Sequence, residues 1–166
     1  MPARPLRIAF RENIAGARKP DFRPRLVRAR EDAPGPGRST PTQPRVLLVE
    51  DDFMVASEAE HALAAAGFTV VGTATTAEEA IALATQEHPA LVVMDIRLAG
   101  GRDGIDAALE LFRTLGLRCV FATAHADSEV RKRAAPAAPL GWLQKPYTTD
   151  SLAELVRRAV KELGAL

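Results

Sequence analysis

The sequence predicts an α/β domain over residues 45–166: five strand–helix units, (βα)5, on a doubly wound five-stranded parallel sheet. Short, near-continuous apolar runs recur at VLLVE (46–50), FTVVGTA (68–74), ALVVMD (90–95), RCVFATA (118–124) and LGWLQ (140–144). Segments with apolar residues at helical spacing separate them. Runs that stay apolar instead of alternating indicate strands covered on both faces, the pattern of a parallel sheet between two helical layers. The expected strand order is 2-1-3-4-5, which places ligands beyond the carboxyl ends of strands 1 and 3, where the winding reverses.

Each helix has its own signals. Val55, Ala59, Ala62, Leu63 and Ala66 recur at helical spacing after strand 1, with Asp52 as the expected cap and Gly67 as the stop. Thr76-Ala77-Glu78-Glu79 predicts a capping box ahead of Ala80, Ile81 and Ala84. Asp103 is placed to cap a third helix carrying Ile105, Ala108, Leu109 and Phe112, ended near Gly116. Asp127 is placed to cap a short fourth helix stopped by Pro136. Ser151-Leu152-Ala153-Glu154 is read as the opening of a fifth, with Leu155, Val156, Ala159, Val160 and Leu163 on its apolar face.

The overall charge of +1 conceals a division. Residues 1–44 hold ten Arg and Lys against four Asp and Glu, and residues 45–166 hold twelve against seventeen. The first segment is rich in Pro and Arg and includes APGPGRSTPTQP (33–44). It lacks the apolar surface needed to offset the entropy of ordering, so a disordered basic tail is expected, with a short helix somewhere within 6–18. Its arginines would give at most a non-specific, salt-sensitive attraction to nucleic acid. No apolar run approaches the roughly 20 residues of a membrane span, and the N-terminus lacks the apolar core of a secretory signal. The single cysteine, Cys119, lies in an apolar run and reads as a small buried hydrophobe. A cytoplasmic setting is the expectation.

The acids carry the chemistry. VLLV runs directly into Glu50, Asp51 and Asp52, and strand 3 ends at Asp95 in MDIRLAGG. Adjacent parallel strands bring Asp51 and Asp95 together at the switch point with Glu50 beside them. Clustered carboxylates repel one another unless a cation enters. A hard divalent ion such as Mg2+, which favours carboxylate and water oxygens, fits better than zinc, for which there is no Cys/His cluster. Asp52 is the better helix cap. Thr123 ends strand 4 and Lys145 ends strand 5, setting a hydroxyl and an ammonium across the same crevice. Such a set suits an incoming phosphoryl group, and a carboxylate can itself be the nucleophile that forms an acyl phosphate.

Taken in order, Glu50-Asp51, Asp95, Thr123-Ala124 and Lys145-Pro146 resemble the receiver domain of two-component response regulators across residues 45–166. The spacings agree as well, with 44 residues from Asp51 to Asp95 and 22 from Thr123 to Lys145. The resemblance implies a flavodoxin-like sheet, Asp95 as phosphoacceptor, and Mg2+ held by Asp51, Asp95, Glu50 (through water) and the backbone carbonyl of Arg97. It implies that Lys145 pairs with Asp95, that Thr123 is the switch hydroxyl, and that Pro146 follows a cis peptide. The aromatic switch position, three before the lysine, falls on Trp142, where Tyr or Phe is more usual; packing against helix 4 is its plainer reading. Arg97 and His125, each two residues after a site residue, would flank the phosphoryl group and tune its hydrolysis. His61 and His88 carry no comparable signal.

The partners implied are a histidine kinase or histidine phosphotransfer protein and a downstream protein target, and the resemblance leaves room for a dimer. The printed chain ends directly after helix 5, so a stand-alone receiver without a DNA-binding or enzymatic output module is expected. It would be a phosphoacceptor and not an enzyme, apart from Mg2+-dependent autophosphorylation and slow autodephosphorylation. Other classes fit less well. A receiver-like interaction module working without phosphorylation would not need the acid–Thr–Lys set. An aspartate phosphatase would carry an acid where Arg97 stands, and acids in the first loop would repel the phosphate of a flavin nucleotide.

Overall fold

The structure, a computed structural model, describes residues 43–164. Along the chain it forms β1 (Arg45–Val49), α1 (Phe53–Ala65), β2 (Thr69–Ala74), α2 (Ala77–Glu87), β3 (Leu91–Met94), α3 (Gly104–Leu115), β4 (Cys119–Thr123), α4 (Ser128–Ala134), a 3-10 turn over Ala135–Ala137, β5 (Gly141–Gln144) and α5 (Thr149–Glu162). The five strands are parallel and ordered β2-β1-β3-β4-β5, as the sequence predicts. Residues 1–42, including the basic tail and the short helix expected within 6–18, lie outside the described residues. Gln43 and Pro44, assigned above to the tail, instead engage the domain. The Pro44 carbonyl accepts the Thr69 N–H at 3.0 Å, and the Thr69 hydroxyl donates to Gln43 Oε1 at 3.2 Å.

Alternation within the strands explains why their runs are apolar throughout. Leu47, Val49, Val92, Met94 and Phe121 point into a layer shared with Ile105 and Leu111 of α3 and the alanines of α2. Val46, Leu48, Val93, Val120 and Ala122 point the other way, against Leu63 of α1 and Leu152, Val156 and Val160 of α5. Successive side chains face opposite sides of a strand, so a sheet buried twice needs apolar residues at every position. Cys119 is buried among them and its thiol is pushed up to about 12 by burial, which leaves it unreactive.

All five α-helix starts are set by side-chain oxygens that accept the first free backbone N–H groups. Asp52 accepts from Met54 and Val55, and Asp127 accepts from Val130. Asp103 accepts from Ile105 and Asp106, while Asp106 takes the Asp103 N–H, a reciprocal box. At α2 the expected box forms only in part. Thr76 Oγ1 accepts the Glu79 N–H, but the Glu79 carboxylate takes the amide and hydroxyl of Thr75, which lies just past the end of β2. The fifth helix opens earlier than read from sequence. Thr148 is its cap, with Ser151 as the reciprocal partner, so Ser151 sits inside the first turn. Pro136 ends α4 by drawing the chain into the 3-10 turn. His88 closes α2 in the left-handed region (φ 47), ahead of Pro89, which disfavours the right-handed helical conformation in the residue before it.

Arg133 of α4 reaches the start of α3, donating to Asp103 at 2.6 Å and to Asp106 at 3.1 Å. Burial works to raise the Asp103 pKa, but the Arg133 bond and the backbone N–H groups outweigh it and hold the carboxyl below its ordinary value. Its stabilising contribution is therefore present above the ordinary aspartate pKa and is lost as pH falls through the lower folded value. Asp103→Ala is expected to cost about 1–2 kcal/mol near neutral pH. Urea midpoints of the two proteins should converge on acidification.

Candidate functional site

The loops after β1, β3, β4 and β5 meet at the carboxyl edge of the sheet. Parallel pairing of β1 with β3 carries Glu50 and Asp95 to neighbouring positions, since Val49 pairs with Met94. Glu50 is 4% exposed, Asp95 7% and Thr123 1%, so these polar groups are interior, while Asp51 is open to solvent. Interior charge needs partners. Lys145 supplies one, donating from Nζ to Glu50 Oε2 at 2.5 Å and to Asp95 Oδ2 at 2.6 Å. The other Asp95 oxygen, Oδ1, accepts the backbone N–H of Ile96 at 2.6 Å and of Arg97 at 3.3 Å. The Asp52 N–H reaches Glu50 Oε1 at 3.4 Å. Lys145 is itself tied to β4, its N–H donating to the Thr123 carbonyl at 2.9 Å, and the Lys145–Pro146 peptide is cis.

One cation shared by two carboxylates leaves unequal satisfaction. Burial works against the Lys145 ammonium, but the hydrogen bonds and charges of Asp95 and Glu50 outweigh it and hold its pKa above the ordinary lysine value. For Glu50, burial dominates and raises the carboxyl; the bond and charge of Lys145 offset it only partly, and the charge of Asp95 adds to the rise. The lysine is thus fully charged, while the acids remain short of positive charge. One oxygen each from Glu50, Asp51 and Asp95 lies within 4.8 Å of the others. Three hard anionic donors with a charge deficit fit an oxygen-preferring divalent cation, and among the described residues no thiolate or imidazole joins them.

The structure therefore brings Glu50, Asp51, Asp95 and Lys145 together, with Thr123 buried on the same edge. Sequence reasoning assigned Glu50 to the metal through water; the direct bond to Lys145 gives it a second task. Arg97 and His125 have exposed side chains and meet the site through their backbones, the His125 N–H donating to Thr123 Oγ1 at 3.4 Å. Trp142 is half-buried on β5 and stacks on Phe121, its β4 neighbour, with centroids 4.6 Å apart. The guanidinium of Arg131 from α4 lies 4.7 Å over its ring, so Trp142 packs against helix 4, its plainer reading. One residue escaped notice in the sequence. Gly104 begins α3 against the Asp95 backbone, where a Cβ would meet the Asp95 carbonyl oxygen at 1.9 Å. The signal was a glycine at the first helical position, where it is a poor helix former.

This sheet order, with acids, lysine and hydroxyl converging on its switch point, defines the receiver class of two-component signalling proteins. The model of the response regulator receiver domain matches residues 46–157, and the chain belongs to that family. It is 34% identical over 125 residues to the transcriptional regulatory protein PdtaR of Mycobacterium tuberculosis, covering 74% of this chain and 60% of PdtaR. It is 29% identical over 117 residues to the phyllosphere-induced regulator PhyR of Methylorubrum extorquens, covering 69% and 43%. The chain thus spans 60% or less of these relatives' length. Among solved structures, the signal receiver domain of a modulated diguanylate cyclase from Desulfovibrio desulfuricans matches with a TM-score of 0.69 at 32% identity, covering 74% of this chain and 98% of that one. A CheY-like receiver from Methanospirillum hungatei matches at 0.68 with 23% identity, over 74% and 98%, a likeness of fold. Receivers generally bind Mg2+ at such an acidic pocket. Among the described residues no helix is long and apolar enough to cross a membrane.

Proposed function

We propose that Asp95 accepts a phosphoryl group from a phosphohistidine on a histidine kinase or phosphotransfer protein, and that the phosphorylated domain signals by binding a downstream protein. The observation that supports this most is the state of Asp95. It is interior, one oxygen is held by two backbone N–H groups, and the other is held by an ammonium it shares with Glu50. Such a carboxylate is fixed in direction before a donor arrives, which is where most of the barrier reduction in phosphoryl transfer lies. An Asp95 oxygen bonds to phosphorus as the P–N bond breaks and its electron pair returns to the imidazole. Lys145 then neutralises a phosphoryl oxygen, and the Thr123 hydroxyl donates to another, drawing the β4–α4 loop inward.

Mg2+ would be held by Glu50, Asp51, Asp95 and the Arg97 carbonyl, and when bound it supplies positive charge for the transferring group. Arg97 and His125, next to the phosphoryl position, would govern how readily water removes it. The chain is then an acceptor restored by slow hydrolysis and not an enzyme acting on a separate substrate. A module working without phosphorylation would have no use for two interior acids sharing one lysine.

Incubation with acetyl phosphate and Mg2+, followed by intact mass measurement, tests this. Wild type should gain one base-labile adduct of about 80 Da, and Asp95→Asn should gain none. Equal labelling of both would overturn the assignment. Thr123→Ala should keep the adduct but lose the change in Trp142 emission that accompanies it.

A further inference from the structure

We propose that Arg131 is the positioning residue through which movement of the β4–α4 loop reaches Trp142, resting on the phosphoacceptor reading above. Three consecutive cations stand on α4, and they are directed differently. Lys132 pairs within the helix with Glu129 at 2.8 Å, and Arg133 crosses to Asp103 and Asp106 of α3. Of the three, Arg131 touches both the β4–α4 loop and Trp142. Its Nε donates to the Ala126 carbonyl at 3.0 Å, and its guanidinium carbon lies 4.7 Å from the Trp142 ring centroid.

The Ala126 bond is not part of the helix. Ala126 precedes the Asp127 cap and lies on the loop three residues after Thr123. In this arrangement the Thr123 hydroxyl accepts the His125 N–H, so the loop from Thr123 to Ala126 is tied at one end to β4 and at the other to Arg131. Trp142 is held between strand and helix, stacked on Phe121 and covered by the arginine. A guanidinium is planar, so one side chain can present its Nε edge to a carbonyl and its face to an indole. Drawing Thr123 toward a phosphoryl group displaces Ala126, and the arginine cannot follow without uncovering the indole. Arg131 therefore favours the arrangement seen here, and its loss favours the alternative.

The effect expected of one exposed cation–π contact and one hydrogen bond is a shift of roughly 3- to 10-fold in the switch equilibrium. Where the switched arrangement is the one that accepts the phosphoryl group and is a minor population, its rise lowers the donor needed by a similar factor. The test uses the full chain, whose only tryptophan is Trp142. Wild type, Arg131→Gln and Arg131→Lys are compared by intact mass at subsaturating acetyl phosphate with Mg2+, and by Trp142 emission and acrylamide quenching before and after. Arg131→Gln should reach a given adduct yield at roughly 3- to 10-fold less donor. Its unphosphorylated emission should move part of the way toward the phosphorylated spectrum, and Arg131→Lys should fall between.

An Arg131→Gln protein whose indole is more open to quencher, but whose donor dependence and phosphorylation-induced change match wild type, would show that Arg131 only shields the ring. That result overturns the inference and leaves the phosphoacceptor reading intact. Absence of any adduct on wild type would overturn that reading, and the switch with it.

Discussion

Gly104→Ala is expected to cost the domain at least about 3 kcal/mol, whereas Gly101→Ala, three residues earlier, should be neutral or slightly stabilising. A Cβ on Gly104 would lie 1.9 Å from the Asp95 carbonyl oxygen, 2.9 Å from its carbon and 3.0 Å from the Ile96 Cα. All three are backbone atoms, so no change of rotamer relieves the overlap. The helix must retreat, and in doing so it loses the Gly104 N–H bond to the Ile96 carbonyl at 2.8 Å and disturbs the Asp103 cap. Gly101 has nothing within 4 Å of the same added atom and no left-handed backbone, so alanine there only restricts the unfolded chain, worth about 0.4–1 kcal/mol. Thermal midpoints should separate by about 10 °C or more, and labelling of Gly104→Ala should fall with the displacement of Asp95. A Gly104→Ala protein melting with wild type would show that the approach of α3 to the phosphoacceptor backbone is not constrained.

Lys145→Met should lose about 3–5 kcal/mol near neutral pH, because it leaves two interior carboxylates without their common cation. The side chains concerned are 18% (Lys145), 5% (Glu50) and 9% (Asp95) exposed, so water replaces the ammonium poorly. The dependence on pH follows from Glu50. Its folded pKa is raised, so its contribution is favourable below the ordinary glutamate value of 4.5 and is lost as pH rises through the folded value. Without Lys145 that rise grows, and the deficit of the variant against wild type should shrink on acidification. The Lys145 pKa is also raised, so its own contribution persists until pH passes above the ordinary lysine value, where the two proteins should converge again. Chemical denaturation of both proteins across this range checks the sign. A deficit independent of pH would mean that the loss is one of packing.

Much of this was legible in the sequence because the same residues answer to local and global demands. VLLV, LVVM and CVFA are apolar at every position, and burial on both faces of the sheet is the reason. Asp52, Asp103 and Asp127 cap the helices they precede, since a short acid there has few competing partners. Where several residues offer the same chemistry, local signals divide. Tyr147-Thr148-Thr149-Asp150-Ser151 contains four candidate caps, and the structure selects Thr148, which places Leu152 in the core. Contacts between distant segments left less trace. Nothing around Glu50 announces that Lys145, 95 residues away, binds it directly. Gly104 shows in sequence only as a poor helix former; its necessity appears once β3 and α3 are in place. The β1–β2 register slips between Val46 and Leu47, a bulge that the pattern FTVVGTA does not mark.

The measurement closest to the central claim is Mg2+ dependence of phosphorylation at Asp95, followed by intact mass and localised by peptide mapping in wild type and Asp51→Asn. The result expected is an adduct on the Asp95 peptide that grows with Mg2+, disappears in EDTA and requires far more Mg2+ in Asp51→Asn. Full labelling of Asp95 in EDTA, or an adduct on any other residue, would contradict a pocket whose acids are gathered to hold a cation beside one phosphoaccepting aspartate.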